Sequence, residues 1–187
     1  MTNFQVNHPL KHAVAEFELA DQAYKRMLEI SVGSFQSYEI AWRDFLRRIE
    51  RVYAKTRSAS MHKSGWQKIN SEISSTRKND PLLQYLQQAR NADEHSIQDV
   101  ASDWDAQLTA TPTEGGIRLN WKHWDRPLLP ITNRGVTYIP ARHHLGTSYE
   151  HLLGKGKAEP VIVAEFALQF YCDFINRVST ELFSSIK

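Results

Sequence analysis

Cysteine is the scarcest chemistry-bearing residue in this chain. Cys172 is the one thiol among 187 residues. That excludes an internal disulfide and any cysteine-based zinc site, and it points to a reducing, cytoplasmic setting. Long apolar runs are also missing. The longest, Val161 to Leu168, contains Glu165 and is far shorter than the roughly 20 residues that cross a bilayer. The stretch from Met1 to Leu10 is polar, so no signal peptide is expected. No phosphate-binding glycine loop, Gly-x-Ser-x-Gly elbow or metalloprotease motif occurs. Nor is there an excess of one charge. The formal net charge is +2, a near-balance that selects no class of partner by itself.

What remains is an ordinary globular composition, 41% hydrophobic and 24% charged, which excludes a disordered or fibrous chain. The length suits a single domain with a real core. Charge is distributed unevenly along it. From Ile40 to Asp80 ten basic residues face four acidic ones, a local +6. From Pro81 to Ala110 Arg90 stands alone against five acidic residues, a local −4.

Apolar periodicity predicts helices. Val14, Phe17, Ala20, Tyr24, Met27 and Leu28 mark one over about Lys11 to Ile30. Gly33 and Ser34 then interrupt the pattern. A second helix over about Phe35 to Lys55 carries Tyr38, Ala41, Trp42, Phe45, Leu46, Ile49, Val52 and Tyr53, and forms an antiparallel hairpin with the first. Arg57 to Ser64 reads as a loop, and Gly65 to Lys78 as ambiguous, with Trp66, Ile69 and Ile73 on one face if helical. Asp80-Pro81 is a helix start, and a helix over Leu82 to about Val100 follows.

Beyond Asp105 the pattern changes. Thr111 to Gly116 reads as a turn. Ile117, Leu119 and Trp121 alternate with polar residues as in a strand, and Asn133-Arg134-Gly135 reads as a hairpin loop. A last helix begins near Pro160 and runs to about Phe183. The expected architecture is mainly α: residues 1–187 form a single helical domain, a bundle of about four main helices. Residues 111–157 form a β-hairpin and loop insertion between the third and last long helices.

The densest cluster of chemistry is Arg90-Asn91-Ala92-Asp93-Glu94-His95, inside the third long helix. Asn91 and His95, four apart, share a face. Arg90 and His95, five apart, are separated by roughly 140° at about 100° per residue. A bend, a helix end or a second chain is needed to bring them to one point. The residue types suit phosphodiester cleavage in RNA. A histidine moves protons near neutral pH, an arginine grips a phosphate, and an asparagine orients either. The RNA 2′-hydroxyl supplies the nucleophile, so no metal or cofactor is called for. Asp93 and Glu94 favour the protonated form of His95 and repel phosphate unless Arg90 neutralises one of them. The alternative is structural: Arg90 paired with Glu94 or Asp93 on a solvated face, and His95 a hydrogen-bonding residue.

Arg90, Asn91 and His95, preceded by Tyr85-Leu86-Gln87-Gln88-Ala89, resemble the signature of the HEPN superfamily of helical-bundle proteins. That signature is an arginine followed by a polar residue, then a histidine after a short spacing. The resemblance covers this motif and the helical order. It implies a homodimer with paired motifs lining a cleft, and metal-independent RNase activity with Arg90, Asn91 and His95 as catalytic residues. It also implies a setting in toxin–antitoxin or phage-defence systems, with RNA and a protein antitoxin or accessory partner. Other members are non-catalytic modules that bind protein or nucleic acid.

Arg43, Arg47, Arg51 and Lys55 recur every four residues along the second helix and read either as a nucleic-acid phosphate track or as a solvated helix face. Lys63, Lys68, Arg77 and Lys78 extend them. His123, His143, His144 and His151 fit no closed zinc pattern and read as surface histidines. Trp104, Trp121, Trp124 and Tyr138 read as packing for the small sheet, with base stacking as the alternative. Cys172 reads as a buried structural thiol.

Overall fold

The computed structural model describes residues 8–30, 35–95, 108–113, 116–121, 131–133, 135–138 and 160–184. They form α1 (Lys11–Glu29), α2 (Phe35–Ser60), α3 (Trp66–Asn79), α4 (Pro81–His95), β1 (Leu108–Thr113), β2 (Gly116–Trp121), β3 (Ile131–Asn133), β4 (Val136–Tyr138) and α5 (Pro160–Phe183). The protein is mainly helical, and its helices make a bundle around one core.

α2 is the spine. Trp42, Phe45, Leu46, Ile49 and Val52 have no exposed surface, and each such side chain contributes about 1.5–3 kcal/mol through burial. Trp42 and Phe45 stack with ring centroids 5.6 Å apart. α1 lies antiparallel on α2: Arg26 pairs with Asp44 near one end, and Arg48 reaches Glu16 at 3.0 Å further along. Arg48 also bonds Asp44 at 3.3 Å. Its pKa is raised first by the Glu16 hydrogen bond.

α2 runs past the expected end near Lys55, through Ser60. Thr56 and Ser60 extend the buried row from Val52 in four-residue steps, and Thr56 hides its hydroxyl by donating to the Val52 carbonyl at 2.8 Å. Polar composition made this segment look like a loop. Burial against the core keeps it helical instead, with the Ser60 Oγ buried and without a hydrogen-bond partner among the described residues. The chain then turns at Gly65, whose φ of +87° belongs to the left-handed region.

α3 resolves the ambiguous segment as a fifth helix among the described residues, where about four were expected. Trp66, Ile69, Ile73 and Arg77 make its buried stripe. The last of these is a cation at an apolar position, which hides the stripe from a hydrophobicity pattern.

α5 follows the expected bounds. It is buried over a wide arc, with Val163, Ala167, Tyr171, Phe174 and Val178 at its centre, and it packs against α1, α2 and α3.

Two antiparallel pairs stand between α4 and α5 in sequence. β1 pairs with β2, Leu108 opposite Trp121 and Thr113 opposite Gly116. Thr111, Pro112, Thr113 and Gly116 therefore lie in strands rather than in a turn, and the β segment starts at Leu108, ahead of the expected residue 111. β3 pairs with β4, Asn133 opposite Val136. Gly135 adopts φ +78°, the conformation a tight connection asks of glycine. This hairpin packs on α4.

Candidate functional site

α4 begins where the sequence signals it. The Asp80 carboxylate accepts from the Leu82 and Leu83 amides at 2.9 and 3.0 Å, and Pro81 fills the first helical position without needing a donor. Leu82, Leu83, Tyr85, Leu86 and Ala89 turn inward. By helical register, positions 84, 88, 91 and 95 then fall within an arc of roughly 60° on the other side. The expected continuation beyond His95 to Val100 lies outside the described residues.

Arg90 is half-buried, and by the same register it lies about 100° from that arc, on the side of Leu83 and Leu86. Its Nη1 donates to Asn91 Oδ1 at 3.1 Å. The structure thus brings Arg90 and Asn91 together. The bond holds the guanidinium beside Asn91, which by register shares a helix face with position 95. The helix backbone is continuous through His95. The side chains of Asp93, Glu94 and His95 lie outside the described residues.

Beside the Gln84–Gln88 part of that face is an open polar cleft of about 440 Å³ between α3, α4 and the β3–β4 hairpin. Ser74, Arg77 and Lys78 supply the α3 wall, Gln84, Gln87 and Gln88 the α4 wall, and Tyr138 the hairpin side. Asn133 donates to Gln88 Oε1 at 2.8 Å and ties the hairpin to the helix. Gln84 donates through Nε2 to the Lys78 carbonyl and ties α3 to α4.

Arg77 anchors the cleft floor. Its Nη2 lies 2.6 and 2.7 Å from the two Glu50 carboxylate oxygens, and its guanidinium stacks 3.9 Å from the Tyr53 ring centroid. The Tyr53 hydroxyl donates to Asn70 at 3.0 Å and lies 3.2 Å from the Ser74 hydroxyl. Burial works to lower the Arg77 pKa, but Tyr171 and Glu50 more than offset this and raise it. Tyr171 is itself pushed well up by burial. Sequence reading placed Arg77 with the exposed basic residues and passed over the glutamines. The usable signal was Arg77's spacing from Trp66, Ile69 and Ile73.

The four basic residues of α2 divide. Arg47, Arg51 and Lys55 are exposed, whereas Arg43 is half-buried and donates to Glu39 at 2.9 Å. Arg51 lies 3.8 Å from Glu16. Four-residue steps advance about 40° each, so the row winds roughly 120° around the helix from Arg43 to Lys55. It is a spiral rather than a straight track.

His123, His143, His144, His151, Trp104 and Trp124 lie outside the described residues, as does the side chain of Trp121. Tyr138 packs half-buried against the core. Cys172 is half-buried, 3.5 Å from the Asn176 amide nitrogen. Among the described residues, no group of three or more His, Cys, Asp or Glu side chains is placed to hold a metal ion. Among them, too, no helix is long and apolar enough to cross a membrane.

Fold and site together define a class: a mainly helical bundle whose fourth helix carries an arginine–asparagine pair beside a polar cleft. In comparisons with known proteins, no family model matches this chain, and neither does a curated protein or a solved structure.

Proposed function

We propose that this chain is a metal-independent endoribonuclease of HEPN type, acting as a homodimer. Arg90 binds the scissile phosphate, Asn91 holds the guanidinium in place, and His95 transfers protons. The RNA 2′-oxygen attacks phosphorus and the 5′-oxygen leaves, producing a 2′,3′-cyclic phosphate and a free 5′-hydroxyl. A histidine near neutral pH can take the first proton or supply the second. The guanidinium offsets charge that builds on the phosphoryl oxygens. The observation that carries this reading is the 3.1 Å bond from Arg90 to Asn91, whose acceptor shares a helix face with position 95 by register. A toxin–antitoxin or phage-defence setting, with a protein antitoxin or accessory partner, fits such an enzyme.

The test is cleavage of single-stranded RNA in excess chelator by the wild type and by His95→Ala. Wild-type cleavage lost in the variant supports the proposal. Equal activity in both, or none in either, refutes it. The second reading is a non-catalytic module that binds nucleic acid or protein, and the Gln- and Lys-lined cleft favours it. That reading predicts no cleavage and binding that survives His95→Ala; where the ligand is RNA, the binding is salt-sensitive.

A further inference from the structure

We propose that the cleft between α3, α4 and the β3–β4 hairpin is a subsite for one nucleotide of an RNA strand. Its base lies between the glutamines and Tyr138, and its phosphate meets Lys78. This rests on the RNA reading above and assigns a site outside the Arg90–Asn91–His95 motif.

The hydrogen-bonding capacity of the wall supports a base. Gln84 is held through Nε2 by the Lys78 carbonyl, which commits its Oε1 as an acceptor for a ligand. Gln88 is held the opposite way: its Oε1 accepts from Asn133 at 2.8 Å, which commits its Nε2 as a donor. These two half-buried amides stand one helical turn apart on α4. With these bonds fixing which end of each amide is occupied, the two side chains still offer both N–H donors and an acceptor oxygen, as the mixed edge of a nucleobase requires. Tyr138 contributes a half-buried ring on the hairpin side, the kind of surface on which a base stacks. A volume of about 440 Å³ suits a ligand of one base and sugar.

Charge supports the phosphate. Arg77 at the floor is answered by Glu50, so it shapes the cleft more than it charges it. Lys78 is exposed at the rim and makes no ion pair among the described residues, which leaves its ammonium for an anion. Placement ties the cleft to the proposed chemistry. Asn91 and position 95 follow Gln88 on the same α4 face, about 4.5 and 10 Å further along the axis. A strand seated in the cleft and continuing along α4 reaches Asn91 next.

The experiment is calorimetric titration of the full chain with each of the four ribonucleoside 5′-monophosphates, and separately with inorganic phosphate. Wild type is compared with Gln88→Glu and Lys78→Gln. Gln88→Glu keeps the acceptor for Asn133 and replaces the inward donor with a carboxylate; Lys78→Gln alters an exposed side chain. Both variants should fold, as checked by circular dichroism.

At least one nucleotide should bind the wild type, and each substitution should weaken it about tenfold. Inorganic phosphate alone should bind more weakly than the nucleotide. No nucleotide binding, equal binding by wild type and both variants, or phosphate binding as tightly as nucleotide overturns the subsite. A cleft that takes a protein segment instead gives the first of these results. The two proposals fail separately. Nucleotide binding that is lost in Gln88→Glu, without RNA cleavage by wild type, removes the nuclease and leaves the subsite. Cleavage without nucleotide binding does the reverse.

Discussion

Replacing Glu50 with glutamine removes the charge that answers Arg77 and almost nothing else. The Arg77 side chain is 10% exposed and that of Glu50 18%, so neither end of the pair is solvated like a surface bridge. Exposed pairs contribute about 0.2–1 kcal/mol. Stranding one partner of a buried pair costs about 3–5 kcal/mol. Glutamine still offers one acceptor to Nη2, and Tyr53 still stacks on the guanidinium, so the lower end applies: about 3 kcal/mol. For a chain of this length that lowers Tm by roughly 6–12 °C. The assay is urea unfolding of wild type, Glu50→Gln, Arg77→Met and the double variant. The double variant should be more stable than the sum of the single losses predicts, because methionine fills the α3 stripe without leaving a charge behind. A Glu50→Gln loss below about 0.5 kcal/mol, with an unchanged denaturant slope, refutes the reasoning and makes the pair an ordinary surface contact.

The α4 cap and the α1 entrance give two further tests. Asp80→Ala removes the acceptor for the Leu82 and Leu83 amides and should cost about 1 kcal/mol in urea unfolding; Asp80→Ser should recover most of it. At the start of α1 the His8 Nδ1 accepts from the Leu10 amide at 3.1 Å. Its Nε2 therefore carries the proton and donates to the Ser179 hydroxyl at 3.3 Å. Burial lowers the His8 pKa from its ordinary value, so the unfolded chain binds the proton first. The His8 contribution is present above about pH 6.5 and is lost as pH falls through the lowered folded-state value. Thermal unfolding at pH 7.5 and 5 should show a stability loss in wild type that is smaller in His8→Gln. Equal losses in the two proteins contradict the assigned tautomer.

Local chemistry was readable wherever one segment decided its own state. Asp80-Pro81 specified the start of α4 because cap and first turn are neighbours in sequence. Pro160 to Phe183 was legible as a helix because apolar side chains recur through it. Arg90-Asn91 was recognisable as a chemical pair because its members are adjacent. Other features depended on distant residues. Thr56 and Ser60 look like loop residues until the core beneath them is known. Arg77 reads as a surface cation, and it becomes the cleft floor because Glu50, 27 residues earlier, and Tyr53 rise from α2 to meet it. The glutamines of α4 acquire defined donor and acceptor roles through Asn133 and the Lys78 carbonyl.

Helix periods, a start signal and a catalytic-type residue set thus follow from the order of amino acids, since each rests on neighbours within a few turns. The burial of Arg77 and the polarity of the cleft were decided by tertiary structure, whereas the Arg90–Asn91 bond joins neighbours in sequence. A charge's neighbours and a hydrogen bond's partners are fixed in space, and only folding brings α2, α3, α4 and the hairpin within reach of one another.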